Sequence, residues 1–256
     1  MKTLPIQIQT TAGPKLSARL DMPDEAFRAT ALFAHCFTCG KDILAASRIS
    51  RRLVAQGFAI LRFDFAGLGA SEGEFADTNF SSNVQDLVDA ADWLRQHYQA
   101  PALMIGHSLG GTAILAASGQ IPEASAYVTI GSPSDPRHIF ELIGGTSLEA
   151  IEDAGEAEVN LEGRIFRIKK QFLRDAAEQR VLGQVRNLHK PLLIMHAPGD
   201  RTVPIAHATA LFQAAAHPKS FLSLGGADHL VTDKTDAEFI ADVIASWSGR
   251  YSEMAQ

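Results

Sequence analysis

The sequence predicts an α/β domain in which helices cover both faces of a central, mostly parallel sheet. Apolar runs of strand length alternate with amphipathic stretches of helix length through most of the 256 residues. The core runs are apolar throughout, which is typical of strands that are buried on both faces. The first two runs instead alternate polar and apolar residues around the turn "TAGP", which predicts an N-terminal antiparallel hairpin.

The predicted elements follow one another in a regular order. Residues 4–10 and 15–21 form the hairpin, and six core strands follow: "TALFAH", "FAILRFDF", "ALMIG", "AYVTIG", "PLLIMH" and "SFLSL". Asp42 is placed to cap the first core helix. Two later helices each present one apolar face, formed by Val84, Leu87, Val88, Ala91 and Leu94 in one and by Ile240, Val243, Ile244 and Trp247 in the other.

One segment, residues 135–187, lacks this alternation and is predicted to be a cap inserted into a core of residues 1–134 and 188–256. It begins with an acidic cluster, continues with the hairpin-like stretch "VNLEGRIFRI" and ends with a basic helix. We expect the segment to lie over the carboxyl ends of the strands, because sites in such sheets are found there.

Composition excludes several classes of protein. The net charge of −6 and the absence of a basic block make nucleic acid and anionic membranes poor partners. No apolar run approaches the roughly 18 residues that a membrane span requires, and the N-terminus does not resemble a signal peptide. Two cysteines are too few for a disulfide framework. These features predict a cytoplasmic globular protein.

The strongest chemical signal is "MIGHSLGG", residues 104–111, which places Ser108 in G-x-S-x-G between a strand and an apolar helix. A sharp turn from strand to helix exposes the hydroxyl, and Gly106 and Gly110 let the neighbouring backbone approach closely. The helix N-terminus behind the serine adds partial positive charge where an oxyanion would form. Ser108 is therefore the predicted nucleophile.

A serine hydroxyl is a weak nucleophile that needs a base and a carboxylate to orient that base. Asp200 follows the strand "PLLIMH", and His229 follows the strand "SFLSL", so both are expected at the same sheet edge as Ser108. Their order along the chain, Ser, Asp, His, is the expected one for this kind of turn. Asp64 precedes a Gly-rich turn and is predicted to brace that loop, and His196 is predicted to point into packed surroundings.

Several short motifs together resemble those of one enzyme superfamily. "GHSLGG", "GD" and "DH" resemble the triad motifs of the α/β-hydrolase superfamily, and "DFAGLGASEG" resembles its Asp-x-x-Gly-x-Gly-x-Ser turn. "HCFTCGKD", "RFDFAGLGASEG" and "NFSSNVQDL" are similar to the hydrolase portion of bifunctional α/β-hydrolase/OsmC-type proteins. The resemblance implies an α/β-hydrolase fold, no cofactor or metal, and an OsmC-type partner module that the present sequence does not include.

The resemblance also implies roles for residues beside the triad. In the superfamily, two backbone N–H groups form the oxyanion hole, and the matching positions here are Phe37 and Leu109. Cys36 stands where the superfamily usually has glycine. Independently of the resemblance, we expect the substrate to contact Phe37, His107, Phe140, Leu142 and Phe166.

Three functional hypotheses remain open at this point. The first is a serine esterase that forms an acyl-enzyme on small acyl esters, although a thioesterase or acyltransferase would use the same triad. The second is a redox-linked accessory protein built on Cys36 and Cys39, the two cysteines of a C-x-x-C. The third is a binding module that keeps the triad with little turnover. A zinc site is not expected, because the C-x-x-C has no second pair.

Overall fold

The computed structural model describes residues 1–36, 39–161 and 163–252, which contain ten strands and nine α-helices. The strands are β1 (Lys2–Gln9), β2 (Lys15–Met22), β3 (Ala29–Ala34), β4 (Phe58–Phe63), β5 (Leu103–His107), β6 (Ala126–Ile130), β7 (Glu156–Leu161), β8 (Arg164–Lys169), β9 (Leu192–His196) and β10 (Lys219–Ser223). The helices are α1 (Leu44–Ala55), α2 (Phe80–His97), α3 (Leu109–Ala116), α4 (Ile139–Ile143), α5 (Gly145–Ala154), α6 (Lys170–Glu178), α7 (Val181–Arg186), α8 (Ala206–Ala214) and α9 (Lys234–Ser252).

Eight of the strands form one sheet in the order β1-β2-β4-β3-β5-β6-β9-β10. The pairs β1–β2 and β2–β4 are antiparallel, and all other neighbours in this sheet are parallel. The mostly parallel sheet and the N-terminal antiparallel hairpin are both confirmed. Because β5, β6, β9 and β10 run in the same direction, the loops after their carboxyl ends meet at one edge of the sheet.

The core is divided by the sheet into two apolar layers. Neighbouring side chains of a strand face opposite sides, so Leu32 of β3 packs into one layer and Phe33 into the other. The first layer includes apolar side chains of α2, α3 and α8, and the second includes those of α1 and α9. All six residues of β3 are buried, as the unbroken apolar run predicted.

Asp42 does not cap α1, which corrects one prediction. The residue at the N-cap position is Ile43, and no side chain makes a capping hydrogen bond there. The carboxylate of Asp42 instead pairs with the guanidinium of Arg19 at 2.9 Å and with that of Arg62 at 3.3 Å. Two cations from other parts of the fold thus compete successfully for the carboxylate, and sequence spacing alone does not reveal them.

Residues 135–187 lie between β6 and β9 and contain α4 to α7 and the strands β7 and β8. A short 3-10 turn at Pro136–His138 leads into α4 and α5, and the two-stranded antiparallel hairpin β7–β8 follows. The hairpin corresponds to the pattern in the sequence, and helix α6 follows it. The helix is not basic as predicted, because Lys170 and Arg174 are balanced by Asp175 and Glu178 within its bounds. Helix α7, at the end of the segment, contacts α3 and α8 of the core layer. That the segment acts as a cap stays a proposal.

Asp86 of α2 is a buried carboxylate next to the Gly-rich turn. Its side chain accepts a hydrogen bond of 2.9 Å from the N–H of Ala66. Burial raises the pKa of Asp86 to about 7, the hydrogen bond from Ala66 opposes this shift, and the charge of Asp89 adds to it. The folded pKa lies above the unfolded value of 3.8, so stabilisation by protonated Asp86 is complete below 3.8 and is lost as the pH rises to 7.

Asp86→Asn is therefore expected to stabilise the protein more at high pH than at low pH, because the amide stays neutral and its oxygen can still accept from Ala66. We expect the difference in Tm between variant and wild type to be about 5 °C larger at pH 8 than at pH 5. Calorimetry at the two pH values measures this difference. The wild type is the control, because it shares every other titratable group with the variant and so shows their effect on Tm. An equal difference at both pH values would show that Asp86 is ionised throughout.

Candidate active site

Ser108 lies on a sharp turn between β5 and α3, with φ 53° and ψ −130°. This conformation is strained for a residue with a side chain, and such strain is typical of functional sites. The turn depends on its glycines: a Cβ on Gly106 would overlap the main chain of Gly111, and one on Gly110 would overlap the carbonyl oxygen of His35. The N–H of Ser108 donates to the carbonyl of Ile130 at 2.9 Å, which fixes the turn against β6.

The structure brings the three predicted triad residues into one hydrogen-bonded chain. The Oγ of Ser108 lies 3.0 Å from Nε2 of His229, and Nδ1 of His229 lies 2.7 Å from Oδ2 of Asp200. These residues are far apart in sequence but follow β5, β9 and β10, whose carboxyl ends share one edge of the sheet. The arrangement can remove a proton from the serine hydroxyl and hold the resulting imidazolium beside a carboxylate.

Asp200 is held as a carboxylate by its loop. Its Oδ1 accepts hydrogen bonds from the N–H groups of Thr202 and Val203, both at 2.9 Å, so that Oδ2 remains for His229. Burial alone would raise the pKa of Asp200, but the hydrogen bonds from His229 and the two N–H groups outweigh it and hold the pKa below its ordinary value. The side chain is therefore ionised at neutral pH.

Asp64 braces the Gly-rich turn that follows it, as the sequence predicted, and it also fixes the loop that precedes α1. The Asp64 carboxylate accepts from both the N–H and the Nζ of Lys41 at 2.6 Å, and from the N–H of Ala70 at 2.9 Å. Burial opposes ionisation, but these contacts prevail and lower the pKa of Asp64. A Cβ on Gly69 would collide with this carboxylate, which accounts for a glycine at that point of the turn.

Of the two predicted oxyanion donors, Leu109 lies within the described residues. Leu109 is the first residue of α3, where backbone N–H groups have no partner within the helix, and its side chain lines the cavity beside Ser108. Phe37 lies outside the described residues, so its predicted roles as donor and substrate contact stay predictions. The residue before it, Cys36, has its carbonyl oxygen 2.6 Å from Nδ1 of the buried His35.

A cavity of about 110 Å³ opens beside the hydroxyl of Ser108. Its walls are mostly apolar, and they come from the strand-end loops and from the segment 135–187. The lining residues are Cys36, Ser108, Leu109, Pro133, His138, Ile139, Leu142, Asn160, Leu161, Thr202 and His229. Pro133 and Thr202 follow β6 and β9, so the strand-end rule that found Asp200 could also have found them. Asn160 and Leu161 depend on how the β7–β8 hairpin folds back, and no sequence signal marks them.

Of the predicted substrate contacts, the structure brings Leu142 to the cavity. His107 is buried, with 1% of its surface exposed, and its ring is turned toward the main chain of His229. Phe140 packs against the apolar core, and Phe166 packs edge to face against Phe75, with ring centroids 5.0 Å apart. The sequence alone could not tell which side of each element faces the cavity.

The two cysteines form a disulfide between Cys36 and Cys39. Both are buried, with 4% and 9% of their surface exposed, and Cys36 lines the cavity next to Ser108. Within the described residues, no group of three or more His, Cys, Asp or Glu side chains suits a metal ion. Nor does any helix in this part of the chain combine the length and apolar character needed to cross a membrane.

The fold and this serine-histidine-aspartate arrangement define an α/β-hydrolase-type protein, and comparison with known proteins agrees. The family model described as "Serine aminopeptidase, S33" matches residues 28–145. The esterase domain of a Rhodothermus marinus protein is 47% identical, with a TM-score of 0.82, and the match covers 98% of this chain and 100% of that one. The chain belongs to the α/β-hydrolase superfamily and resembles its esterase-type members.

Two curated relatives extend this comparison. The mitochondrial palmitoyl-protein thioesterase ABHD10 of Mus musculus is 26% identical over 191 residues, which are 72% of this chain and 63% of the relative. A monoacylglycerol lipase of Mycolicibacterium smegmatis is 22% identical over 228 residues, or 78% of this chain and 81% of the lipase. The chain thus spans less than two thirds of the length of the thioesterase.

Proposed function

We propose that the protein is a carboxylic-ester hydrolase that acts through an acyl-enzyme on Ser108. The observation that carries this proposal is the hydrogen-bonded chain from Ser108 through His229 to Asp200 at the wall of an apolar cavity. The esterase-type relatives support the same reaction class.

In the proposed reaction, acylation and deacylation each use all three groups of the hydrogen-bonded triad. The Oγ of Ser108 attacks the ester carbonyl while Nε2 of His229 takes its proton, and Asp200 stabilises the imidazolium through Nδ1–H. The oxyanion of the tetrahedral intermediate accepts hydrogen bonds from the N–H groups of Leu109 and Phe37. His229 then protonates the leaving alcohol, and a water molecule activated in the same way releases the acid and regenerates Ser108.

The cavity supports a short acyl group as the substrate. Its volume of about 110 Å³ is small, and Ile139, Leu142 and Leu161 contribute apolar side chains to its wall. These three residues belong to the segment 135–187, which is consistent with the proposed role of that segment as a cap that selects the acyl chain.

Leu142→Ala is expected to shift the preferred acyl chain toward longer esters, because it removes side-chain volume from the cavity wall. We expect kcat/KM for a hexanoyl or octanoyl ester to rise about tenfold relative to the acetyl ester, since a few buried methylene groups are worth this much. Initial rates on a series of 4-nitrophenyl esters measure the shift. Ile165→Ala is the matched control, because Ile165 lies in the same segment but is 69% exposed. Identical profiles for both variants would remove Leu142 from the acyl site.

Thioesters are the main alternative substrates, because a thioesterase uses the same triad and a curated relative carries that name. A matched set of ester, thioester and amide with one acyl group tests the proposal. We expect hydrolysis of the ester with a higher kcat/KM than the amide, and labelling of Ser108 by a fluorophosphonate. Labelling without turnover of any acyl donor would support the binding-module hypothesis instead.

The disulfide gives the redox hypothesis a specific basis, because Cys36 borders the same cavity as Ser108. If the protein is an esterase, the double variant Cys36→Ser, Cys39→Ser should keep ester hydrolysis within about tenfold, since it removes no catalytic group. Assays with and without a reductant measure this. Peroxidase turnover that depends on the disulfide and disappears in the double variant would make the C-x-x-C the functional centre.

We retain two finer predictions as proposals. One is that the chain is most similar to the hydrolase portion of α/β-hydrolase/OsmC-type proteins, with an OsmC-type module as partner, and the strong match to an esterase domain of another protein is consistent with it. The other is a cytoplasmic location, although the thioesterase relative is named mitochondrial. Co-purification from the source cell and fractionation test them.

A further inference from the structure

Two buried histidines make hydrogen bonds to the main chain of the loops that carry Asp200 and His229, the acid and the base of the triad. His107 is the last residue of β5, and its Nε2 lies 2.7 Å from the carbonyl oxygen of His229. His196 is the last residue of β9, and its Nε2 lies 2.8 Å from the carbonyl oxygen of Val203. A carbonyl oxygen only accepts hydrogen bonds, so Nε2 carries the hydrogen in both rings.

Both rings are neutral donors. The Nδ1 atoms of His107 and His196 are buried and have no hydrogen-bond partner among the described residues. A proton on either Nδ1 would therefore be a buried charge without a partner. Burial is the main reason that the pKa of His107 is lowered to about 4, and the nearby His229 adds to this effect. Burial lowers the pKa of His196 as well. The carboxylate of Asp200 faces both rings and opposes this lowering, whereas His35 adds to it at His107 and His229 adds to it at His196.

The loop that carries His229, here called the base loop, contains a strained residue that the surrounding structure must hold in place. Val231, two residues after His229, has φ 51°, which is strained for a β-branched residue. Its side chain is buried, with 1% of its surface exposed, and its N–H donates to the carbonyl of Asp228. The hydrogen bond from His107 acts on the catalytic histidine itself and fixes the main chain from which the imidazole projects.

The loop that carries Asp200, here called the acid loop, is also held by a hydrogen bond from a buried imidazole to its main chain. The N–H of Val203 donates to Oδ1 of Asp200, and the carbonyl of Val203 accepts from His196. The peptide groups of one residue thus connect the buried imidazole to the carboxylate. His196 is 0% exposed, so no water competes for this hydrogen bond.

We propose that His107 and His196 are positioning residues for the triad, whose Nε2–H groups hold His229 and Asp200 in register with the Oγ of Ser108. The inference rests on the proposed function, because it assigns a kinetic role to the loops of the triad. Neither histidine touches the substrate. Both donate to the main chain of the loops that carry the triad, and Nε2 of His196 also lies 3.7 Å from Oδ2 of Asp200. Their loss therefore changes the geometry of the triad and leaves the cavity wall intact.

A comparison of three substitutions at His107 separates the hydrogen bond from the packing. His107→Gln keeps an N–H at nearly the same reach, His107→Asn is one methylene shorter, and His107→Leu is similar in volume but has no donor. We expect the Leu and Asn variants to lose about 10- to 100-fold in kcat, because a displacement near 1 Å costs that much. KM should stay within about twofold, since the cavity is unchanged. The Gln variant should recover most of the activity.

The same series at His196 provides an independent repeat on the acid loop, and Tm values identify any variant that does not fold. If the Leu variant is unfolded, the Gln and Asn pair still decides, because both are polar and differ only in reach. Wild-type kcat in the Leu or Asn variant, or equal losses in Gln and Asn, would overturn the positioning role. Ser108→Ala, assayed in parallel, keeps the two proposals apart: activity there refutes the esterase mechanism, whereas its loss beside unchanged His107 variants refutes the positioning role alone.

Discussion

Ser108→Ala is expected to abolish ester hydrolysis, with a fall in kcat of at least about a thousandfold and as much as a millionfold. The reason is that no other hydroxyl within the described cavity wall makes a hydrogen bond to His229. The fold should persist, because the half-buried side chain faces the cavity and its loss leaves the backbone hydrogen bond to Ile130 in place. Initial rates on a short-chain 4-nitrophenyl ester, together with the Tm, measure both effects.

Ser134→Ala is the matched control for this variant. The Oγ of Ser134 also lies 3.0 Å from a histidine nitrogen, Nδ1 of His207, but that pair is separate from the triad. We expect its activity to stay within a few-fold of wild type. Retention of more than about a tenth of the wild-type rate by Ser108→Ala would refute the assignment of the nucleophile.

Asp200→Asn is expected to lose about 10⁴-fold in kcat while it folds normally, as in other triads of this type. The amide oxygen can keep the bonds from Thr202 and Val203, which turns the amide NH₂ toward Nδ1 of His229. Nδ1 must then accept, so the imidazole hydrogen moves to Nε2 and faces Ser108 in the wrong tautomer. His229→Ala should be as damaging as loss of the serine, because it removes the base altogether.

Asp228→Asn is the control for the acid. Asp228 adjoins the base in sequence, but its carboxylate accepts from the N–H and hydroxyl of Thr232. We expect near wild-type kcat in this variant.

Because hydrogen bonds hold the pKa of Asp200 below its ordinary value, the Asp200 carboxylate stays ionised as the pH falls toward that value. The titration of Asp200 should therefore not limit activity near neutral pH. Full activity in Asp200→Asn would require another carboxylate.

The sequence predicted the triad because each member follows a core strand, and parallel strands bring their carboxyl ends together. Ser108, Asp200 and His229 could therefore be placed at one edge of the sheet from the sequence alone.

Asp64 could be recognised as a bracing carboxylate from the Gly-rich turn that follows it. The structure adds the partners that hold each group: Lys41 for Asp64, and the N–H groups of Thr202 and Val203 for Asp200.

The parts that could not be predicted depend on tertiary contacts. Asp42 has the right position for a helix cap, but Arg19 and Arg62 arrive from two strands and take its carboxylate. Phe166 lies in the predicted segment, yet the packing of the β7–β8 hairpin directs it to Phe75. The hydrogen bond from His107 to the carbonyl of His229 joins residues 122 positions apart, and neither residue type nor spacing indicates it.

If catalysis passes through an acyl group on Ser108, rapid-quench mass spectrometry should detect that group directly. The enzyme is mixed with a slowly deacylating 4-nitrophenyl ester, quenched in acid during the first turnover, digested and analysed. We expect a burst of one equivalent of 4-nitrophenol and one acyl group on the peptide that contains Ser108, both absent in Ser108→Ala. Steady turnover with no acyl group on that peptide would contradict the mechanism.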